Sequence, residues 1–245
     1  KIGCKVENAV AAGAAAWGAG LSWETVRRGL SGFGNGSDNA PGRVNVMDYR
    51  GATVIADYGH NPDAMRALVA AVDALPGKKP RIIDASTAHR CHDGWVYGFP
   101  ELSAGQQAAV QKADRVANPG CYATGAIALL RPLVDAGLLP KDFPVALPSV
   151  SGYSGGGRTM IEAYEKGEAP LHEAYALGLT HKHIPEILRY TGLTRRPVFI
   201  PAVGNFRQGM LVQLPLHLDD LPGAPKASDL HDALVAHYAA SVAAG

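Results

Sequence analysis

The sequence predicts a mixed fold of the α/β to α+β class. Segments with helical and strand-like patterns alternate along the chain, which favours layers of both kinds of element. Apolar residues make up 47% of the 245 positions, enough to fill the core of one large domain or two modest ones. No internal repeat is visible.

The pattern of the N-terminal third predicts helices within residues 1–30 and a linker over 32–42. A hairpin over 43–57 and a further helix over 62–75 follow. Ser22 is the predicted N-cap of the second helix. The linker, GFGNGSDNAPG, concentrates Gly, Asn, Ser and Pro. Arg50-Gly51 separates two β-rich runs, which predicts the hairpin, and Pro62 suits a first helical turn.

The remaining chain predicts strands over 81–86, 115–120, 143–152, 196–204 and 208–218, and helices over 103–113, 123–137, 159–167, 183–192 and 226–245. We expect the first of these strands to be buried. Ser103 and Ser228 are the predicted N-caps of the first and last of these helices. Gly137 ends the apolar helix that follows Cys121.

Charge and cysteine usage exclude several classes of protein. Lys and Arg number 23 against 22 Asp and Glu, and no dense basic block occurs, so no nucleic-acid partner is expected. The longest apolar run, from Ala9, is too short for a bilayer, and no signal pattern opens the sequence. The spacing of Cys4, Cys91 and Cys121 predicts free thiols in a reducing compartment, the cytoplasm.

Cys121 lies between a Pro119-Gly120 turn and the start of an apolar helix. Backbone N–H groups and the positive end of the helix dipole converge at a helix N-terminus, so a thiolate is stabilised there. Pro119 keeps the helix from starting earlier, and Gly120 lets backbone approach closely. The pattern predicts either a nucleophile or a buried structural cysteine.

A nucleophilic cysteine needs a base or an imidazolium partner, and HKHIPEI supplies His181 and His183. On a strand or loop, this spacing would point both rings the same way. Two surface histidines are the alternative reading. No metal is expected, because no CxxC or HExxH pattern accompanies this motif, and the neighbouring side chains of HRCHD, residues 89–93, rarely converge on one ion.

The stretch SGYSGGGR, residues 151–158, combines hydroxyl groups, backbone N–H groups free of Cβ obstruction, and Arg158. Such a turn at a helix start predicts an anion site. The same stretch matches the G-x-S-x-G elbow of serine hydrolases at Ser154, with Asp219 and His231 following in hydrolase order. A purely structural turn is the third reading, and the extra glycine and Arg158 favour the anion site.

From about Arg81 onward, the chain resembles the shorter type of N-acetyl-γ-glutamyl-phosphate reductase. The matching stretches, in the right order, are IDASTAHR, GWVYGFPEL, RVANPGCYATGAIALLRPL, SGYSGGGR, HKHIPEI and GNFRQGMLVQLPLHL. The resemblance implies a partial Rossmann-like sheet joined to a mixed-sheet substrate and dimerisation domain. It also implies self-association.

The same resemblance implies NADPH-dependent reduction of N-acetyl-γ-glutamyl phosphate to the 5-semialdehyde, a step of arginine biosynthesis, through a thioester on Cys121. It implies that the pair His181 and His183 holds the acid–base histidine. The implied NADP contacts are Ser154, Gly155, Gly156 and Asn205, and the implied or predicted substrate contacts are Ser86, Arg90 and Arg158.

The reductase family begins with a glycine-rich dinucleotide turn, and no match to that turn occurs here: GFGNGS follows a helix and precedes a strand. Residues 1–79 resemble instead a fragment of Mur-type ligases, especially cyanophycin synthetase. The matching stretches are KVENAVAAGAAAWGAGLSWETVRRGL, PGRVNV and ATVIADYGHNPDAMRAL. This resemblance implies ATP contacts at Asp57, His60 and Asn61, although no P-loop is present.

The chain therefore reads as two truncated families joined near Pro80. The predicted domains are a helical segment over 1–41, a hairpin plus helix over 42–79, and a reductase-like catalytic domain over 80–245. We expect the helix over 62–75 and the strand after it to complete a βαβ unit with ligase-like strands. A small acyl-phosphate substrate is the expected partner. The alternative functions are an ATP-binding module, a serine hydrolase and an inactive fusion.

Overall fold

The structure is a computed structural model that describes residues 22, 24, 45–49, 52–56, 62–74, 76–77 and 79–242. The chain divides into two compact units, Lys1–Arg81 and Ile82–Gly245. Predictions that fall outside the described residues include the linker, most of the helices over 1–30, and the ATP contacts Asp57, His60 and Asn61.

The described part of the first unit contains the predicted hairpin and helix. Strands β1 (Asn45–Tyr49) and β2 (Ala52–Ala56) pair antiparallel, with Tyr49 opposite Ala52, which confirms a two-residue connection. Helix α1 (Pro62–Asp73) begins at the proline, and its first turn carries Asp63. Met65 and Val69, four residues apart, form its buried face.

The second unit opens with a three-stranded parallel sheet. Strands β3 (Ile82–Asp84), β4 (Val96–Tyr97) and β5 (Arg115–Ala117) lie in the order β3-β5-β4, and helix α2 (Gln106–Lys112) links β4 to β5. This sheet confirms the partial Rossmann-like expectation. The expected βαβ unit with ligase-like strands would join the two units of the chain, and it stays a prediction.

Helix α3 (Cys121–Asp135) connects this sheet to a mixed one of four strands. The strands are β6 (Ala146–Gly152), β7 (His172–Ala174), β8 (Val198–Gly204) and β9 (Met210–Val212), in the order β7-β8-β6-β9. β6 and β8 run parallel, whereas the outer pairings are antiparallel. The mixed sheet confirms the predicted class.

Helix α3 packs on one face of the mixed sheet and forms the core with it. Fully buried side chains from α3, β6 and β8 meet there: Ile127, Leu130, Leu147 and Phe199. A Cβ on Gly125 would lie 2.7 Å from the Val212 side chain, so the glycine sets how closely α3 approaches β9. The remaining helices are α4 (Arg158–Glu165), α5 (Ile184–Thr191) and α6 (Ala227–Val242).

Pro132 lies inside α3 and cannot donate the usual hydrogen bond to Ala128 four residues earlier. The Tyr238 hydroxyl of α6 donates to the Ala128 carbonyl oxygen at 2.8 Å and replaces the missing donor. The closing helix is therefore fixed to α3 at the position where the proline interrupts the hydrogen-bond ladder.

The opposite face of the mixed sheet is apolar and open. Val198 and Ile200 of β8 and Leu211 of β9 are 45%, 39% and 55% exposed. The register places Pro148 beside Ile200 and Val150 beside Leu211 on the same face. Since the inner face is already covered by α3, the sheet presents a second apolar surface, which we call the open sheet face.

The predicted caps Ser103 and Ser228 are wrong. Helix α2 starts three residues after Ser103, behind Gly105 in a left-handed conformation, and Ser103 contributes only its carbonyl oxygen to Gln106. In α6, Ser228 lies inside the first turn. Asp229 accepts a hydrogen bond from the backbone N–H of Lys226 at 2.8 Å, which is one half of a capping box.

Other differences concern strands. β4 and β7 have only two or three residues and carry too little pattern to be predicted. The run over 208–218 is a strand only at Met210–Val212. β3 is not buried as expected, since Ile83 is 70% exposed.

Among the described residues, no helix is both long and apolar enough to cross a membrane.

Candidate active site

Cys121 is the first residue of α3, as the turn before it predicts. Gly120 has an extended backbone (φ −70°, ψ 142°) and no side chain to cap the helix. The thiol is exposed and unpaired, so it lies at the positive end of the helix dipole with access to solvent. This is the arrangement that stabilises a thiolate and leaves it open to a substrate.

Gly120 holds an imidazole against the backbone next to Cys121. A Cβ at this position would lie 2.4 Å from His183 Nε2 and 2.7 Å from Arg90 Nη1. Only glycine therefore allows both side chains to pack onto this turn. His183 therefore lies against the residue that precedes Cys121, although residues 121 and 183 are 62 positions apart in the sequence.

The two predicted histidines lie in different environments. His183 precedes α5 and is 3% exposed, and its Nδ1 is buried without a hydrogen-bond partner among the described residues. His181 is half-buried, and its Nδ1 accepts a hydrogen bond from the His183 backbone N–H at 3.1 Å. The ring centroids lie 4.6 Å apart. The geometry favours His183 as the ring that faces the cysteine turn.

Burial determines the charge of both rings. It lowers the pKa of His183 to about 3, assisted by the nearby positive charges of His181, Arg90 and Lys182. Burial, followed by Lys182, lowers the pKa of His181 as well. Both imidazoles are therefore neutral at pH 7, so His183 can accept a proton there and does not form an imidazolium–thiolate pair in the free protein.

This depressed pKa predicts acid sensitivity. Below pH 6.5 the unfolded chain protonates His183 while the folded chain does not until about pH 3, so the free energy of unfolding falls as pH falls through this window. We expect His183→Gln to remove this dependence of the unfolding free energy on pH, which approaches ~1.4 kcal/mol per pH unit. Urea denaturation at several pH values measures it. His231→Gln, at a 73% exposed site, is the control that should keep the wild-type slope.

Glu186 is the centre of a buried network that sequence reasoning did not identify. Its carboxylate, in a residue 1% exposed, accepts hydrogen bonds from the Gly120 backbone N–H (2.8 Å), the Tyr97 hydroxyl (2.8 Å) and Arg90 Nη1 (3.0 Å). These donors come from three separate segments of the chain. Glu186 therefore fixes the residue before Cys121 to α5, β4 and the loop after β3.

Arg90 uses its guanidinium inside the protein. Besides Glu186, it donates to the carbonyl oxygens of Asn118 at 2.9 Å and Ala85 at 3.1 Å. It is 8% exposed, so the described contacts support a role in holding the loops together. Direct contact of Arg90 with substrate stays a prediction.

Two stacked tyrosines cover this network. The rings of Tyr97 and Tyr190 lie 3.7 Å apart, and the Tyr190 hydroxyl donates to the Arg90 carbonyl oxygen. Burial and the Glu186 charge raise the pKa of Tyr97, and burial raises the pKa of Tyr190 to about 12. Both phenols stay protonated and act as donors.

The loop after β3 is organised by Asp84. Its carboxylate accepts hydrogen bonds from the backbone N–H (2.7 Å) and hydroxyl (3.0 Å) of Ser86 and pairs with His89 Nδ1 at 2.7 Å. The His89 ring stacks on Trp95 at 4.1 Å. Ser86 is thus held at the carboxyl end of a parallel strand, where ligands of such sheets bind; its substrate contact stays a prediction.

Tyr122, directly after the cysteine, contacts both histidine rings, with centroids 6.2 Å from His183 and 6.4 Å from His181. It is fully buried, and its hydroxyl donates to the Ala202 carbonyl oxygen at 2.6 Å. Ser151 and Tyr175 lie within electrostatic reach of this hydroxyl. Burial, then Tyr122 and finally the charge of Cys121, raise the pKa of Tyr175, so this tyrosine lies within electrostatic reach of the thiol.

The glycine-rich turn is a 3₁₀ turn over Tyr153–Gly156. The backbone N–H groups of Gly152, Tyr153 and Ser154 donate to the carbonyl oxygens of Gly209, Phe206 and Arg207 respectively. A nearby loop of the same chain occupies these three N–H groups. They are therefore not available to an anion, and the predicted anion site would have to use the other N–H groups of the turn.

The remaining predicted residues at this turn are exposed. Gly155, Gly156 and Asn205 face solvent. The Arg158 side chain is 92% exposed and pairs with Glu162 at 2.8 Å on the same helix. The turn therefore offers a solvent-facing surface, and its cofactor and substrate roles stay predictions.

The serine hydrolase reading finds no support in the contacts of the described residues. His231 pairs with its neighbour Asp232 at 3.4 Å, and both side chains are more than 70% exposed. No described hydrogen bond joins Ser154 to His231 or Asp219. The described residues also contain no group of three or more His, Cys, Asp and Glu side chains that could hold a metal ion.

Comparison with protein families gives two matches. Residues 121–243 match the semialdehyde dehydrogenase dimerisation domain, and residues 42–92 match the glutamate ligase domain of Mur ligases. These matches confirm both resemblances noted in the sequence. The second match runs beyond the predicted join at Pro80, whereas the two units of the structure divide after Arg81.

Curated relatives carry the name N-acetyl-gamma-glutamyl-phosphate reductase. The Chelativorans sp. (strain BNC1) protein is 55% identical over 170 residues, which cover 69% of this chain and 55% of that protein. The Brucella anthropi protein is 51% identical over 198 residues, covering 78% and 63%. The chain thus spans about 55% to 63% of the length of these relatives.

Among solved structures, aspartate semialdehyde dehydrogenase II from Vibrio cholerae superposes with a TM-score of 0.52 at 13% identity, covering 77% of this chain and 66% of that one. At this identity the likeness concerns the fold alone.

Proposed function

The chain belongs to the semialdehyde dehydrogenase family through residues 121–243, and on that premise we propose that it reduces N-acetyl-γ-glutamyl phosphate to N-acetylglutamate 5-semialdehyde with NADPH. One observation carries the proposal above all. The exposed thiol of Cys121 begins α3 while His183 Nε2 packs on the preceding residue, Gly120. A nucleophile and a neutral base thus flank one turn, which suits thioester chemistry.

The acylation step uses groups of this chain. Cys121 Sγ attacks the acyl carbon, the bond from that carbon to the phosphate oxygen breaks, and inorganic phosphate leaves. The first N–H groups of α3 have no intrahelical acceptor, so they are available to the developing oxyanion. His183, neutral at pH 7, is the group that takes the thiol proton.

The described residues fit one end of a nicotinamide dinucleotide. Ser151, at the start of the glycine-rich stretch, lies within electrostatic reach of Tyr122, the residue after the cysteine, and a Cβ on Gly155 would meet only Ser151 Oγ, at 3.7 Å. We assign the nicotinamide end to the open side of the turn, formed by Ser154, Gly155, Gly156 and Asn205. A bound NADPH would supply a hydride there. The sheet β3-β5-β4 carries no G-x-G-x-x-G turn for the pyrophosphate, so the choice of NADP rests on the resemblance.

The proposal also places the reaction in the cytoplasm. An exposed catalytic thiol must stay reduced, and Cys91 and Cys121 are both free.

The test combines labelling and turnover. Iodoacetamide at mildly acidic pH should alkylate Cys121 faster than the half-buried Cys91, whose pKa burial raises. The full chain mixed with N-acetyl-γ-glutamyl phosphate and NADPH should oxidise NADPH and release phosphate together. Equal alkylation of the two cysteines, with no phosphate released, contradicts the proposal.

We propose that the chain forms a homo-oligomer through the open sheet face. The matched family is described as a dimerisation domain, and Val198, Ile200 and Leu211 supply a contiguous apolar surface. Two such faces from two copies would bury each other.

Ile200→Glu is expected to dissociate this oligomer, because a glutamate without a partner would be buried at the centre of the interface. Its dissociation constant should rise by at least ~100-fold, measured by analytical ultracentrifugation. Val235→Glu, on α6 and 54% exposed, is the matched control and should keep the wild-type assembly. An unchanged sedimentation profile for Ile200→Glu would show that the open sheet face is not the interface.

A further inference from the structure

We propose that this chain hydrolyses acyl phosphates without any nucleotide: the acyl group is transferred to Cys121, and water then cleaves the thioester with His183 as the proton acceptor. The inference rests on the acylation half of the proposed function. It adds a second fate for the acyl-enzyme, and the substrate class is a small carboxylic-phosphoric anhydride.

All groups that acylation requires lie in the second unit and belong to the protein. The nucleophile is exposed at the start of α3, and the base packs on Gly120, the residue before it. His183 is 3% exposed; its Nε2 packs on Gly120, and its Nδ1 is buried without a hydrogen-bond partner among the described residues. A buried ring left in this state is typical of a group that meets its partner in a reacting complex.

Solvent reaches the position of the thioester. Cys121 and Asn118 are exposed on either side of the buried Gly120, so the sulfur lies at the surface of the turn. Water can approach a thioester on Cys121 from this side, and His183, which packs on the neighbouring Gly120, is the group we expect to accept its proton. The same exposure that admits an acyl phosphate therefore admits the second nucleophile.

The competing fate, hydride transfer, depends on how long a dinucleotide stays bound. Three amides of the glycine-rich turn, those of Gly152, Tyr153 and Ser154, already donate to carbonyl oxygens of residues 206–209. These three amides are not available to bind a cofactor phosphate, so other groups must bind it. An acyl-enzyme that waits for its hydride is exposed to water during that wait.

The two steps balance without an oxidant or reductant. In the first, the thiol proton passes to His183 and the S–C bond forms; the C–O bond to phosphate breaks, and phosphate leaves with the electron pair and with that proton, so His183 is neutral again. In the second, water oxygen bonds to the acyl carbon and its proton passes to His183; the C–S bond breaks with its electrons on sulfur, which takes the proton from His183, and the new carboxyl group releases its proton to solvent. The products are a carboxylate, phosphate and the restored thiol.

The rates of the two steps should differ. Water is a weaker nucleophile than the cysteine sulfur, so attack by water on the thioester should be slower than attack by Cys121 on the acyl phosphate. Phosphate release should therefore show a burst followed by a slower steady phase.

The experiment mixes the full chain with N-acetyl-γ-glutamyl phosphate, or with acetyl phosphate as a simpler probe, in the absence of nucleotides. Phosphate is followed over time, and the protein mass is measured during the steady phase. We expect a burst of up to one phosphate per chain, an acyl adduct on Cys121, and steady release at least ~10-fold faster than with Cys121→Ser. In water enriched in ¹⁸O, the label should enter the carboxylate and not the phosphate.

Matched variants assign the second step. His183→Gln should keep an acyl adduct and lengthen its lifetime by ~10-fold or more, whereas Cys91→Ser should behave as the wild type. A burst with a stable adduct and no steady phase overturns the hydrolysis while the proposed function stands. No burst and no adduct overturns the proposed function itself. Steady release that persists in Cys121→Ser, or ¹⁸O in phosphate, overturns the thioester route.

Discussion

Cys121→Ser is expected to lower reductase turnover by at least ~10³-fold, which is the largest effect of any single substitution in the chain. A serine hydroxyl at the start of α3 does not ionise near neutral pH, and its oxygen is a weaker nucleophile than the cysteine sulfur. Steady-state NADPH oxidation with N-acetyl-γ-glutamyl phosphate measures the loss. Circular dichroism should show an unchanged fold, since Cys121 is exposed.

The control is Cys91→Ser. Cys91 is half-buried, and the described hydrogen bond at this residue uses its carbonyl oxygen, to which Arg189 donates at 3.1 Å. Serine keeps that carbonyl, so activity should stay within ~2-fold of the wild type. If Cys121→Ser retained most of the activity while Cys91→Ser lost it, the nucleophile would be misassigned.

Glu186→Gln is expected to cause the largest loss of stability, about 3–5 kcal/mol in the free energy of unfolding. The amide keeps the shape of the carboxylate but leaves Arg90 buried with its positive charge uncompensated. It also weakens the acceptors for the Gly120 backbone N–H and the Tyr97 hydroxyl. Urea denaturation monitored by fluorescence measures the change.

The matched control is Glu162→Gln. Glu162 also pairs with an arginine, Arg158, at 2.8 Å, but both side chains are largely exposed. Solvent screens such a pair, so its loss should cost less than ~1 kcal/mol. A double-mutant cycle with Arg90→Gln should give a coupling energy of roughly 0.5–3 kcal/mol; strict additivity would mean that the two side chains do not interact.

Glu186→Gln should also change the reaction, because Glu186 is a positioning residue for the cysteine turn. Loosening the Gly120 amide moves the start of α3 relative to His183, so kcat should fall more than KM rises. Rescue of stability by a low concentration of osmolyte without rescue of kcat would separate the two effects.

The local patterns in the sequence were sufficient for most elements. The β1–β2 hairpin, α1, α3 and the strands β6 and β8 each carry a complete signal within their own residues, from turn residues at the ends and apolar periodicity between them. Short strands were not predicted, because so few residues do not carry such a signal. β7 has three residues, all exposed, and exists because β8 offers a free edge.

The predictions of Ser103 and Ser228 as N-caps are wrong because a second residue near each helix start competes with the serine. Gly105 adopts a left-handed conformation, and α2 starts after it and not at Ser103. Helix α6 starts at Ala227, before Ser228, and Asp229 accepts a hydrogen bond from the Lys226 backbone N–H. Local sequence offers both choices, and the surrounding backbone decides between them.

The sequence by itself determined the reactive parts: a thiol at a helix start, two histidines close by, and a glycine-rich turn after a strand. Each of these is encoded within one or two turns of chain. Only the tertiary structure decided that His183 rather than His181 is the buried ring beside Gly120, and that Glu186 joins the Gly120 amide and Arg90, 66 and 96 positions away. Such pairs form because packing of α5 against α3 desolvates them together, and no local preference of either segment contains that information.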